Sequence, residues 1–282
     1  MTKKSSRKST EKRTRRNRPQ QKFLRRLATL EQLERRELFA VDFRAFDGTD
    51  NNLLNPEWGS TDENFLRIAP AEYSDGLSAP AGDSRLSPRE ISNIVSSQSP
   101  DTPTNSLGLT AMLYAWGQFL DHDIDLTLSA DPAEAFPIEV PTGDPYFDPT
   151  GSGSATIGLT RSQYDSSTGL TSPREQFNSI TAFIDGSMVY GNSAEEASSL
   201  RTGEGGHMRT SDGNLLPMEN GMFLTGDIRA NENPDLTSLQ TLFVREHNRI
   251  ADELASTRPN WTDERLFQEA RKIVVGELQA IT

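Results

Sequence analysis

Residues 116–125, WGQFLDHDID, hold one histidine, three aspartates and a glutamine. A histidine between two carboxylates is an acid–base group whose charge is set by its neighbours. The preceding run, 109–120, is apolar (Leu109, Met112, Leu113, Trp116, Phe119, Leu120) and predicts a buried helix. The polar group then stands at that helix's end. At about 100° per residue, Gln118, Asp121 and His122 share one face, being i, i+3 and i+4, and Asp123 points away. The stretch offers an acid–base face to one site and a carboxylate to another. A histidine on an apolar helix is usually a satisfied core group. Two flanking aspartates are less usual, because burying a carboxylate costs several kcal/mol unless it is paired or metal-bound.

Two further stretches carry candidate chemistry. In 181–187, TAFIDGS, the alternate residues Thr181, Phe183, Asp185 and Ser187 project the same way from an extended loop. They offer two hydroxyls, a carboxylate and nearby carbonyls, the oxygen ligands a calcium ion takes, and Asp123 is the carboxylate left to complete the set. The same spacing also fits an ordinary strand with small polar residues outward. In 226–234, GDIRANENP, Arg229 and Glu232 stand three apart before a helix start, which by itself reads as a surface ion pair of little energetic weight.

The elements that must position these groups are mostly helical. Ser87, with Pro88 in the first turn and Glu90 as box partner, predicts a short helix to about residue 97. The main helix is expected over about 106–123. Residues 173–180, PREQFNSI, look like another helical start, and Asp212-Gly213-Asn214 like a hairpin turn. Asn233 and Pro234 open a helix to about residue 254, with Leu236, Leu239, Phe243, His247, Ile250 and Leu254 as its buried stripe. Thr262 caps another, with Leu266, Ala270, Ile273, Val274 and Ile281 as its apolar face. Residues 56–90 read as an extended arm, and 129–173 as a long loop of functional or wrapping kind. Solenoid repeats, a phosphate-binding glycine loop and a histidine pair at metal spacing are missing from the sequence.

Composition bounds the rest. The chain has 282 residues, 34% hydrophobic, and no cysteine, which excludes disulfides, thiolate metal sites and thiol catalysis. No apolar run approaches a membrane span. Residues 1–38 carry 14 Lys/Arg against 4 Glu, while the chain as a whole has a net charge of −12. An overall nucleic-acid binder would not have so acidic a body. The basic start attracts nucleic acid or membrane surfaces, or is the positive leader of an exported protein, and the second reading is favoured. Residues 25–41, RRLATLEQLERRELFAV, form an amphipathic pattern that resembles the LEPR-xLL type of sorting motif of some bacterial exported proteins. Residues 1–41 are thus expected to be a disordered basic leader, and 42–282 the folded part, secreted or held at the cell surface.

Taken together, FRAFDGTDNN, LRIAPAEYSDG, WGQFLDHDIDLT, REQFNSITAFIDGSMVYG, GDIRANENPDLTSLQTLFVREHNRIADEL and WTDERLFQEARKIVVGELQAIT occur in the order and spacing of one family. Over 43–282 the chain resembles the animal-type haem peroxidases of the peroxidase–cyclooxygenase superfamily. The resemblance covers roughly the first half of the catalytic domain. It implies a mainly α fold, incomplete here, with long loops and little β. It implies haem b and calcium as cofactors, and hydrogen peroxide with a small halide or organic donor as substrates. Carried over, His122 matches the distal histidine, Gln118 the distal glutamine and Arg229 the distal arginine. Asp121 and Glu232 match the carboxylates ester-linked to the haem, and Asp123, Thr181, Phe183 (through its carbonyl), Asp185 and Ser187 match the calcium ligands. The methionine that links to a haem vinyl in some members is Asn233 here, so that link is not expected, and bromide, iodide, thiocyanate or phenols are the donors implied. The proximal histidine lies beyond the last matching motif. The resemblance therefore implies a fragment, inactive alone unless a second chain supplies that ligand, with a non-catalytic calcium-binding exported module as the alternative. On this reading the two last helices would leave their apolar stripes uncovered.

Overall fold

The computed structural model describes residues 43–98 and 105–282. The expected leader, with its amphipathic sorting-type pattern, lies outside the described residues. What is described is mainly helical. Helix α1 (Pro88–Val95) begins where Ser87 Oγ accepts from the Glu90 amide at 3.1 Å. Helix α2 is Met112–Asp121, α3 is Ser187–Tyr190 and α4 is Ala194–Ser199. A 3₁₀ turn, Ile228–Asn231, leads into the two long helices α5 (Pro234–Thr257) and α6 (Asp263–Ile281). Strand content is two short antiparallel ladders. β1 (Ile138–Glu139) pairs with β2 (Thr156–Ile157), and β3 (Met218–Glu219) with β4 (Met222–Phe223). The turn expected at 212–214 is present, with Asn214 N–H donating to Ser211 O across an isolated Ser211–Leu215 bridge.

Helix α5 organises the core. Asn233 Oδ1 accepts from the Leu236 amide at 3.0 Å, and Pro234 fills the first turn where no donor is needed. The α5 stripe Leu236, Leu239, Phe243, Val244, His247 and Ile250 is buried against α6, α2 and α3. Thr262 Oγ1 caps α6 by accepting from the Arg265 amide at 3.2 Å. The α6 buried face is Leu266, Phe267, Ala270, Val274, Val275 and Leu278. The stripes expected to be uncovered are therefore mostly covered within the described residues. The exceptions are Ile273 and Ile281, which sit outside the buried face and are exposed.

Helix α2 is attached to α5 by three rings. Phe119 stacks on Phe243 at 5.5 Å between centroids, and Trp116 lies 5.7 Å from Phe119 and 6.0 Å from Phe243. Burial of a side chain such as Phe119 contributes about 1.5–3 kcal/mol. The start of α2 differs from expectation, lying six residues later than 106. The side chain of Asn105 bonds both the N–H and the C=O of Leu109, and Gly108 takes φ 65°. Local side-chain bonding competes with helix here. The first half of the expected buried helix is also not buried, with Met112 53% and Leu113 57% exposed.

Residues 173–180 are extended, not helical. Their backbone groups are taken by the 62–65 segment, with Phe65 N–H to Gln176 O and Asn178 N–H to Glu63 O, and Phe177 bridges Asn64. This long-range pairing overrides a locally helical composition.

Candidate functional site

The end of α2 separates its polar groups as the helical spacing requires. His122 is the C-cap residue of α2, its N–H donating to Gln118 O at 3.2 Å. It is buried, and Asp121 beside it is exposed. Neither imidazole nitrogen hydrogen-bonds to protein among the described residues. Burial lowers the imidazole pKa, and the Arg229 charge lowers it further, while Asp227, Glu232 and Asp121 oppose. Neutral imidazole with uncommitted nitrogens can take up a proton and return it.

Arg229 reaches this group from the 3₁₀ turn, its Nη2 donating to the His122 carbonyl at 3.5 Å. Its guanidinium is held by Asp227, Nε lying 3.0 Å from Oδ1 and Nη2 2.7 Å from Oδ2. Asp227 Oδ1 also accepts from the Arg229 amide at 2.8 Å, capping the turn. Gly226, just before, lies against the backbone of α3. A Cβ there would fall 2.6 Å from Ser187 O and Gly191 N, so only glycine lets the turn approach α3 so closely. Asp227 was present in the sequence motif without a role. The signal that could have found it is an aspartate two residues before an arginine at a helix start, a capping position.

Gln118 joins α2 to the start of α5. Its Nε2 donates to Glu232 Oε2 at 2.9 Å, and its Oε1 accepts from Asn233 Nδ2 at 3.0 Å. Gln118, His122, Arg229 and Glu232 are thus brought to one end of α2. Asp121 and Glu232 are both exposed, so the face is open at its carboxylates.

Asp123 turns the other way and is fully buried. Its Oδ2 accepts from the Gly186 amide at 3.0 Å and its Oδ1 from Ser187 Oγ at 2.8 Å. Gly186, at φ 78°, precedes α3 and turns its N–H to that carboxylate. Asp185 Oδ1 accepts from Thr181 Oγ1 and from the Ser187 amide, both at 3.1 Å. Asp185 Oδ2 is buried with no hydrogen-bond partner. Burial raises the pKa of both carboxyls; Asp185 adds to the rise at Asp123, and the Arg271 charge opposes it at Asp185.

An orphaned oxygen on a buried carboxylate is costly, and a cation relieves it. The oxygens placed together are the Thr181 and Ser187 hydroxyls and the two carboxylates, which the Gly186, Ser187 and Met188 amides also bond. That chemistry fits a hard cation such as calcium. Phe183 is half-buried in the same loop, and no hydrogen bond reaches its carbonyl among the described residues. Groups of three or more His, Asp or Glu side chains at metal-holding geometry are absent among the described residues. A cation here therefore depends on the hydroxyls and carbonyls.

The other two histidines have structural partners. His247, fully buried in α5, has Nδ1 2.9 Å from Tyr190 Oη and Nε2 2.8 Å from Gly206 O. A carbonyl can only accept, so Nε2 carries the proton and Nδ1 accepts from the Tyr190 hydroxyl. His207 Nε2 pairs with Asp252 Oδ1 at 2.9 Å.

Residues 43–282 match the family model described as animal haem peroxidase. Peroxinectin A of Dictyostelium discoideum is 35% identical over 269 residues, covering 86% of this chain and 50% of the relative. Dual oxidase 1 of Caenorhabditis elegans is 35% identical over 263 residues, covering 85% of this chain and 17% of the relative. The solved structure of peroxidase A from Dictyostelium discoideum superposes with a TM-score of 0.74 at 32% identity, covering 86% of this chain and 52% of that one. The chain spans about half the length of the peroxinectin and peroxidase it matches, and less of the dual oxidase.

Proposed function

The chain belongs to the animal haem peroxidase family, and from that premise we propose that it forms the distal half of a haem b site for hydrogen-peroxide-dependent oxidation of a halide or organic donor. The observation that carries this reading is the buried His122, with both ring nitrogens uncommitted, beside an arginine anchored by its own carboxylate. Haem, when bound, supplies the iron at which the peroxide O–O bond is broken. Asp121 and Glu232, both exposed at this end of α2, would hold its edge, as ester links or as ionic contacts. An imidazole nitrogen of His122 takes the proton from one peroxide oxygen and returns it to the other, which leaves as water. The Arg229 guanidinium stabilises the negative charge that gathers on the departing oxygen. Gln118 lines the same face.

His247 has both nitrogens engaged in the core and is not free to ligate iron. His207 pairs through Nε2 with Asp252, and the resemblance matches neither histidine to the iron ligand, which a second chain would supply. Calcium held by Asp123, Thr181, the Phe183 carbonyl, Asp185 and Ser187 would fix α2 to the 181–187 loop and so hold His122 in place. No described helix is long and apolar enough to cross a membrane. From the basic start and the sorting-type pattern of residues 25–41 we propose that the protein is secreted or held at the cell surface.

The test is the rate of peroxide consumption by the chain loaded with haem and a ligand-bearing partner segment. His122→Ala should lower it about 10²–10⁴-fold, the range for a positioned acid–base group. An unchanged rate in that variant would remove His122 from the reaction. A chain that binds calcium but no haem would leave the non-catalytic module as the correct reading.

A further inference from the structure

Asn233 stands at a junction to which the peroxidase reading gives no part. Its side chain makes two hydrogen bonds of opposite sense. Oδ1 accepts from the Leu236 amide at 3.0 Å, and Nδ2 donates to Gln118 Oε1 at 3.0 Å. The first bond fixes the amide. A flipped Asn233 would set N–H against N–H at the start of α5 and lose the cap.

The orientation is passed on. With Nδ2 facing it, Gln118 must present Oε1 to Asn233, and its Nε2 then donates to Glu232 Oε2 at 2.9 Å. Turning Gln118 alone would oppose N–H to N–H at one end and carbonyl to carboxylate at the other. A glutamine amide offers a carbonyl and an NH₂ of nearly equal shape, so only such partners decide which side is which. Hydrogen-bond polarity therefore runs one way, from the α5 cap through Asn233 and Gln118 to Glu232. The second N–H of Gln118 Nε2 has no protein partner among the described residues. Gln118 and His122 are i and i+4, on one face of α2.

We propose that Asn233 is a positioning residue of the distal site, orienting Gln118 so that the site meets its donor substrate with an amide N–H. This rests on the peroxidase reading, in which small anions are among the implied donors, and adds only the residue that orients Gln118; thiocyanate serves as the probe. Asn233 acts through Gln118 and need not touch substrate.

Two variants separate this role from the cap. Asn233→Asp keeps an oxygen for the Leu236 amide but has nothing to donate to Gln118. Asn233→Ser keeps a cap but is too short to reach Gln118. Both should melt close to the wild type. In the haem-free chain, labelled with ¹⁵N-glutamine, the Gln118 side-chain signals are identified by their loss in Gln118→Leu. They should shift in both variants. In the chain loaded with haem and imidazole, thiocyanate binding should weaken roughly three- to tenfold, the effect of one neutral hydrogen bond. Gln118 signals that stay at their wild-type positions in Asn233→Asp would overturn the proposal. So would shifted signals with unchanged thiocyanate affinity. A wild-type chain that takes up no haem refutes the peroxidase reading instead, and the amide spectra then still decide whether Asn233 orients Gln118.

Discussion

Replacing Asp227 by alanine should be a costly change outside the apolar core. The carboxylate is 1% exposed and accepts from three donors: Arg229 Nε, Arg229 Nη2 and the Arg229 amide. Breaking a buried ion pair from one side typically costs about 3–5 kcal/mol, because the remaining charge is left without compensation. The Arg229 side chain is 16% exposed and keeps some access to water, so the lower end applies. Losing the cap of the 3₁₀ turn works in the same direction, and a total near ~3 kcal/mol follows. With a urea dependence of about 3 kcal/mol per molar for a domain of this size, the unfolding midpoint should fall by about 1 M. Asp227→Asn keeps one oxygen that can accept from the Arg229 amide and Nε, but turns an NH₂ toward Nη2 and leaves the guanidinium charge uncompensated, so it should cost less than alanine and still destabilise. The assay is urea unfolding of wild type and both variants, followed by far-UV circular dichroism. A midpoint shift below about 0.3 M for Asp227→Ala, equivalent to about 1 kcal/mol, would refute the reasoning. Arg229 would then not be anchored by this carboxylate.

Phe119→Ala should destabilise by about 3–5 kcal/mol, since it opens a cavity between α2 and α5, and calorimetry would show it as a lowered melting temperature. Asp123→Ala or Asp185→Ala should abolish bound calcium measured by atomic absorption; retained calcium in both would place the ion elsewhere. His247 gives a pH signature. Burial, with smaller effects of His207 and Arg201, lowers its pKa from 6.5 to about 4, although the Gly206 carbonyl opposes the fall. The unfolded chain thus binds the proton more readily. The stability this group contributes is full above about pH 6.5 and is lost as pH falls toward 4, a change of about 3 kcal/mol. His247→Gln should flatten the stability profile over that interval, and an unflattened profile would mean another group titrates there.

What the sequence disclosed depended on how local its cause was. The starts of α1, α5 and α6 were readable because Ser87, Asn233 and Thr262 each bond the amide three residues on. The opposite directions of His122 and Asp123 were anticipated from helical spacing, although α2 ends at Asp121 and both lie in the turn at its end. The late start of α2 was not readable, because the apolar pattern continues through 109 while the Asn105 side chain holds the Leu109 backbone in a turn. Residues 173–180 failed as a helix because their partners, 62–65, lie more than a hundred residues away. Arg229 and Glu232, three apart, read as a surface pair. In the fold they part, Arg229 bonding Asp227 and Glu232 bonding Gln118. Asn233 registered in the sequence as a helix cap and the lack of a methionine, yet its amide spans α5 and α2.

The most direct test of the distal-site reading is where haem sits on this chain. Ferric haem is paramagnetic and broadens the NMR signals of nearby nuclei. Haem added with imidazole, which takes the iron's opposite position, should broaden the signals of Gln118, Asp121, His122 and Arg229. It should spare His207 and His247. Broadening centred on His207 or His247, or none at His122 with haem in excess, would contradict the account.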